Sequence, residues 1–519
     1  MRINLIVLVI GSFFLVQCQS DKNIQKPVVY AVGDSTVKNG QGDGSGGLWG
    51  WGDFIDQFLD ASKVTVKNHA LGGTSSRTFI QKGLWKSVLD SLKKGDYVLI
   101  QFGHNDNGPI NDNFRARGTI KGTGEATEEI DNMLSGEHEI VHTYGWYLRK
   151  IINETKQKGG IPILMSPIPR NNWENGKVVR NNDTYGLWSK QIAMQEEVTF
   201  VDLNGAMALE MEKLGQDKIY GNLFYEKDHT HTTAKGAAIA ASIIAQGLKE
   251  SDNSLKEYLL ENPTIVLPKK IRMYLIGDST MANNGIPEAV GWGVFLPEFM
   301  DTTRVQILNK ARGGRSSRSF HYQKLWQEVR DSLKPGDYVL MQFGHNDGGF
   351  LDKPKYRGSL MGIGDSTVVV QREDQTTEVV HSYGWYMTQF IKQAQKKGAV
   401  PIVLSPIPRN IWNGKQLQRA DESYGLWAQQ AAIENQAIFI NINDSIAIAY
   451  EEIGEVMIKK FFPKDHTHTD AKGATFNAAI VAKSLKSDPD SGLKKFVLGQ
   501  ETIDKLQSNV LNDSLKITK

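Results

Sequence analysis

The sequence predicts two tandem domains, each a doubly wound, three-layer α/β/α unit around a parallel central sheet. Three observations carry this reading. The chain has 519 residues, too many for one ordinary core. One long pattern is written twice, with a period of about 240 residues. Within each copy, short continuous apolar runs alternate with longer helical patterns, as strands covered by helices on both faces would require.

The repeat is read directly. "SLKKGDYVLIQFGHNDNG" (Ser91–Gly108) returns as "SLKPGDYVLMQFGHNDGG" (Ser332–Gly349), and "SPIPRN" at Ser166 returns at Ser405. "VHTYGWY" at Val141 returns as "VHSYGWY" at Val380, and "KDHTHTTAKGA" at Lys227 as "KDHTHTDAKGA" at Lys464. A period this long exceeds any solenoid unit, so each copy is expected to be a whole domain. The domains are placed at residues 26–261 and 262–519, joined near "ENPTIVLPKK".

Taken in chain order, "PVVYAV" and "IRMYLI" lead into GDST at Gly33–Thr36 and Gly277–Thr280. "DYVLIQF" and "DYVLMQF" lead into GHND, and "IPILM" and "VPIVL" lead into SPIPR. Each motif then falls just past the carboxyl end of a strand, the edge of an open α/β sheet where ligands collect. "KDHTHTTAKG" reads as a loop entering the Ala-rich helical segment Ala234–Ala245.

A net charge of +2 gives no bulk electrostatic argument for nucleic acid or an acidic polymer. After Arg2, the apolar run Ile3–Val16 is too short to span a membrane and suits a signal-peptide core, so residues 1–18 are read as a signal. Cys18, the only cysteine, ends that run and has no disulfide partner within the chain. It is either an incidental residue of a removed signal or, by resemblance to bacterial lipoprotein signals, an acylated mature N-terminus. The expectation is an exported bacterial protein, periplasmic or at the outer membrane or cell surface, touching membrane only through such an anchor.

A serine at a strand-to-helix turn can be exposed, with its backbone N–H free to donate to a developing oxyanion. Asp228 and His231 are three residues apart, so on a turn the carboxylate can hold the imidazole, as Ser–His–Asp chemistry requires. A metal site built from Asp228, His229 and His231 competes with this, but zinc would want further ligands and leaves the serine without a use. A plain structural turn is the other alternative. Asn105 follows a strand end and can aim its amide at a carbonyl oxygen. The Gly-Gly pair of "NHALGGTSSRTF" and "NKARGGRSSRSF" lets backbone approach a ligand. No GxSxG elbow occurs, which disfavours a classical α/β-hydrolase.

Together these four elements resemble the SGNH (GDSL-type) hydrolase superfamily, whose domains are flavodoxin-like. Its serine, glycine, asparagine and Asp/His blocks fall on Ser35, Gly73, Asn105 and Asp228/His231, and again on Ser279, Gly314, Asn346 and Asp465/His468. "GDST", "GWG" (Gly50–Gly52, Gly291–Gly293), "GRSSRSF", "QFGHND" and "DHTHT" are most similar to the rhamnogalacturonan acetylesterase branch of carbohydrate esterases. The resemblance implies a serine esterase, without cofactor or metal, that removes O-acetyl groups from pectic polysaccharide. In that reading Ser35 and Ser279 attack, His231 and His468 act as base and acid, and Asp228 and Asp465 orient them. The serine N–H, Gly73 or Gly314, and Asn105 or Asn346 form the oxyanion hole. Thr74 stands where the second copy has the basic Arg315, which leaves substrate preference open.

Substrate contacts are expected from Trp51 and Trp292, stacking on a sugar ring unless they are core residues. Arg77, Arg318, Arg170 and Arg409 can pair a uronate carboxylate or form structural ion pairs. His142 and His381 are read as helix packing. GDST occurs a third time, at Gly364–Thr367, but opposite "GEAT" of the first copy and after the glycine-broken "RGSLMGIG"; Ser366 is read as a loop residue. Two alternatives remain: another acyl substrate (xylan acetate, lipid or thioester), or one copy acting as an inert binding module.

Overall fold

The computed structural model describes residues 26–516. The signal segment and Cys18 lie outside the described residues. Internal contacts divide the chain into two compact units. One holds the residues up to Lys38, Trp51–Asp217 and Ala238–Ile265; the other holds Asn39–Gly50, Lys218–Ala237 and Val266 onward. The sequence repeat assigns Asn39–Gly50 and Lys218–Ala237 to the first copy, so the units and the repeat differ at these two segments.

Each unit is built on a five-stranded parallel sheet. In the first, the order is Thr65–Asn68, Val28–Gly33, Tyr97–Gln101, Ile161–Met165, Thr199–Val201. In the second it is Val305–Asn309, Ile271–Gly277, Tyr338–Gln342, Val400–Leu404, Ile438–Ile440. Both are doubly wound, with the crossover beside the strand that enters GDST, which is where such sheets open a crevice. The register makes that crevice specific: Gly33 pairs Gln101 and Gly277 pairs Gln342. The GDST turn and the GHND loop therefore leave the sheet side by side.

Continuous apolar strands follow from burial on both faces. Met273 and Leu275 enter one core with Ile446, Tyr450, Phe476 and Val481, whereas Tyr274 and Ile276 enter another with Phe320, Trp326, Met387 and Phe390. The first unit repeats the second arrangement: Tyr30 and Val32 pack with Phe79, Trp85, Leu148 and Ile151. Successive residues thus face opposite helical layers.

The sequence did not announce the antiparallel hairpins, of which the longer two are Thr127–Asp131 with His138–His142 and Thr367–Gln371 with Thr377–His381. They correct the placement of His142 and His381. Each ends a hairpin strand, and the helices begin after Thr143 and Ser382, whose side chains cap Trp146 N–H and Trp385 N–H. Their imidazoles stack on Trp146 and Trp385 with ring centroids 3.7 Å apart. Ser366 is exposed in the loop just before the second hairpin, with no sheet strand behind it.

Candidate active site

The second copy shows the full constellation within one unit. Asp278 opens the turn after Ile271–Gly277, and its carbonyl accepts from Met281 and Ala282 N–H. Its Oδ1 accepts from Thr280 N–H (2.9 Å) and Thr280 Oγ1 (2.7 Å), a side-chain-closed turn that leaves Ser279 at the apex. Ser279 Oγ lies 2.9 Å from His468 Nε2, and His468 Nδ1 lies 2.7 Å from Asp465 Oδ2. Asp465 Oδ1 also accepts from the backbone N–H groups of Thr467 and His468, which fixes the carboxylate against the ring. Burial works against its ionised form, but the His468 hydrogen bond and these N–H donors prevail and hold its pKa at about 2.

The glycine pair runs beside the same serine, and Asn346 is anchored to the backbone next to that pair. Gly314 adopts φ +71°, a left-handed conformation that favours glycine, and a Cβ there would meet Arg357 Nη2 at 3.1 Å. A Cβ on the adjoining Gly313 would lie 3.9 Å from Ser279 Cβ, so this backbone runs beside the nucleophile. Asn346 Nδ2 donates to Arg315 O at 3.0 Å, and its Oδ1 accepts from Arg357 Nη1 at 2.8 Å. A guanidinium only donates, so Arg357 fixes which way the amide faces.

In the first copy, Ser35 follows Val28–Gly33 with the same Asp34–Thr36 turn. Gly73 has φ +82°, a Cβ on Gly72 would lie 3.5 Å from Ser35 Cβ, and Asn105 Nδ2 donates to Thr74 O at 2.8 Å. Asp228 and His231 meet through Oδ2 and Nδ1 at 2.5 Å, in the segment Lys218–Ala237. The Asp228 pKa lies below the usual carboxylate range; burial opposes this, and the His231 side chain together with the Thr230 and His231 N–H donors outweighs it.

Four expected substrate contacts are corrected. Trp51 and Trp292 are fully buried, and no face is open to a sugar. Each indole N–H instead donates to Gln101 or Gln342 at 2.8 Å; that amide donates to Thr36 or Thr280 Oγ1, which donates to Asp34 or Asp278. The tryptophan of GWG thus steadies the nucleophile turn from inside the core. Arg77 and Arg318 are also fully buried and bidentate to Glu139 and Glu378. Their remaining nitrogens bind loop carbonyls of Ile110 and Gly118, and of Leu351 and Gly358. The partner glutamates lie about 60 residues away, on strands the sequence did not reveal. Arg170 and Arg409 are half-buried. Arg409 lines a cavity of about 460 Å³ with Asn346, Arg357 and Tyr424. A larger cavity, about 930 Å³, opens among the helices Ile442–Ile453, Ala471–Ser487 and Gln500–Lys516, and none of the motif residues lines it.

Sequence reasoning missed further members of the site. Arg117 and Arg357, in "RGT" and "RGS", are among them; Arg117 Nη1 donates to Gly73 O at 2.9 Å. His345 bridges Asp278 Oδ2 and Ile407 O, each at 3.1 Å, tying three strand-end loops together. Asp347 of GHND is buried and accepts from Ser317 N–H and Oγ and from Ser359 Oγ; burial pushes its pKa up to about 7, as it does for Asp106. The repetition of SSR and GHND at constant spacing was the only sequence signal for that pairing.

The fold and this arrangement define a doubly wound α/β protein with a serine hydrogen-bonded to a histidine that a carboxylate holds. Residues 29–244 match the GDSL-like Lipase/Acylhydrolase model, and residues 275–474 match the GDSL-like Lipase/Acylhydrolase family. The rhamnogalacturonan acetylesterase of Emericella nidulans is 32% identical over 44% of this chain and 88% of its own length. The probable rhamnogalacturonan acetylesterase YesY of Bacillus subtilis is 32% identical over 45% of this chain and 97% of its own. The solved acetylxylan esterase Axe2 of Geobacillus stearothermophilus is 22% identical, covering 44% of this chain and 95% of that one, with a TM-score of 0.31. The chain belongs to the GDSL-like lipase/acylhydrolase family as a tandem pair of its domains, and it is a carboxylic ester hydrolase.

Proposed function

We propose that the chain removes O-acetyl groups from pectic polysaccharide of the rhamnogalacturonan type, through an acyl-enzyme formed at Ser279 and, by repetition, at Ser35. The observation that supports the mechanism is the hydrogen-bond line Ser279–His468–Asp465, with the Gly313–Gly314 backbone running beside Ser279. His468 takes the serine proton as Oγ attacks the acetyl carbonyl, and Asp465 orients the ring and offsets its charge. The tetrahedral oxyanion is met by the Ser279 and Gly314 N–H groups and by Asn346 Nδ2. As the tetrahedral intermediate collapses, His468 gives its proton to the departing sugar oxygen, which leaves as a hydroxyl. Water, deprotonated by the same ring, releases acetate and restores the serine. The substrate class is supported by the rhamnogalacturonan acetylesterases among the relatives. Export is part of this reading, supported by the apolar run Ile3–Val16. Acetate release from acetylated rhamnogalacturonan, homogalacturonan and xylan tests it. Release chiefly from rhamnogalacturonan is expected; comparable release from all three, or from none, overturns the pectic assignment.

A further inference from the structure

The two copies share their catalytic letters but not the charge around them. In the second, Arg312 and Arg315 flank the Gly313–Gly314 pair beside Ser279; in the first, Leu71 and Thr74 flank Gly72–Gly73 beside Ser35. Arg312 is exposed, and its Nη1 reaches only its neighbour's carbonyl, Ala311 O, at 3.4 Å. Arg315 donates to Gly313 O (2.8 Å) and Gln323 Oε1 (3.0 Å). Arg357 donates to Asn346 Oδ1, and Arg409 to His345 O at 3.2 Å. All these acceptors are neutral. Arg318 and Arg419 close by are, by contrast, ion-paired with Glu378 and Glu451. The rim of the second site therefore holds four guanidinium groups on carbonyl or amide oxygens, with donors left over.

At the first site Leu71 is an exposed apolar residue (37%), and Thr74 is buried with its hydroxyl turned to Leu71 O at 2.8 Å. Lys38, where the second copy has Ala282, has its ammonium 3.5 Å from Asn68 O. Arg117 and Arg170 repeat Arg357 and Arg409. The contrast is thus two cations at the lip of the glycine pair against an apolar and a buried neutral residue.

We propose that the two sites divide acetyl esters by charge. The second selects esters on a sugar that carries a carboxylate or adjoins one, with Arg312 and Arg315 as the specificity-determining residues; the first, which lacks both, selects for the carboxylate more weakly. A carboxylate near this rim meets cations that no protein anion neutralises, whereas Leu71 offers a neutral surface. Neither arginine side chain belongs to the triad or to the donors of the oxyanion hole, so the effect is expected on KM more than on kcat. This inference rests on the esterase reading of both sites.

Full-length Ser35→Ala and Ser279→Ala chains each isolate one site. The readout is the ratio of kcat/KM on acetylated oligogalacturonates to that on acetylated, uronate-free xylo-oligosaccharides. The ratio is expected to be about tenfold higher for the Ser35→Ala chain, which keeps the second site. It is expected to shrink as salt rises from about 20 mM to about 500 mM, as screening requires. Adding Arg312→Leu and Arg315→Thr to Ser35→Ala should bring the ratio to that of the Ser279→Ala chain, while Lys at both positions should keep it. Equal or inverted ratios, indifference to salt, or a ratio untouched by the paired substitution would overturn the division by charge. Single-site chains that cleave a small aryl acetate but neither oligosaccharide would instead overturn the polysaccharide reading, and the division with it.

Discussion

Trp292 illustrates how a residue acts on chemistry it never touches. Its indole N–H ends a line through Gln342 and Thr280 to Asp278, the residue that opens the nucleophile turn. Trp292→Phe keeps the ring but strands the buried Gln342 oxygen. In a Ser35→Ala background we expect kcat to fall about tenfold with little change in KM, and stability to fall by about 1–3 kcal/mol. Steady-state kinetics and thermal melts check this. Asn346→Ala removes an oxyanion donor, so kcat in the same background should drop by about 10²–10³. At this scale the sequence was legible where spacing encodes chemistry. Asp465 and His468 are three apart, and their pairing needs only one turn. Trp292 and Arg318 misled because a lone side chain carries no mark of its surroundings: their partners, Gln342 and Glu378, are 50 and 60 residues away.

At the scale of elements, Asp347 couples the GHND loop to the start of the helix Ser317–Tyr322. Its carboxyl is raised by burial to about 7, against about 3.8 when exposed. The native state therefore binds this proton more tightly than the unfolded chain. That contribution is fully present below the unfolded value and is lost as pH rises through about 7. Asp106 behaves alike in the first unit. A chain with Asp106→Asn and Asp347→Asn should lose less Tm than the wild type between about pH 5 and pH 8. Melts at the two pH values check the sign. The loop ahead of the hairpin Thr367–Gln371 gives a second prediction: Ser366→Ala should leave acetate release unchanged, because that serine is exposed with no sheet strand behind it. The central strands were legible because continuous apolar runs followed by glycine mark buried parallel strands. The hairpins were not. Thr127–Asp131 carries four exposed residues around Ile130, so no apolar pattern announced it; Thr367–Gln371 does hold the apolar run Val368–Val370, but the first copy does not repeat that run.

Over the whole molecule, repetition was the most informative signal, since every motif of one copy could be checked against the other. It placed GDST and GHND past strand ends in both copies; that the two leave the sheet side by side is set by the pairing of Gly33 with Gln101 and Gly277 with Gln342. Repetition was less informative about boundaries. Asn39–Gly50 and Lys218–Ala237 follow the first copy in sequence but group with the second unit in space, a matter of tertiary contact that periodicity does not record. It also favours reading the copies as equivalent, whereas Leu71 against Arg312 and Thr74 against Arg315 set their rims apart. Two working serine sites in one chain are the central proposal. Acetate release from acetylated rhamnogalacturonan by the wild type, Ser35→Ala, Ser279→Ala and the double variant tests this most directly. Each single variant should keep a measurable share of the rate and the double variant none; a single variant no faster than the double, or a double variant as fast as the wild type, would contradict it.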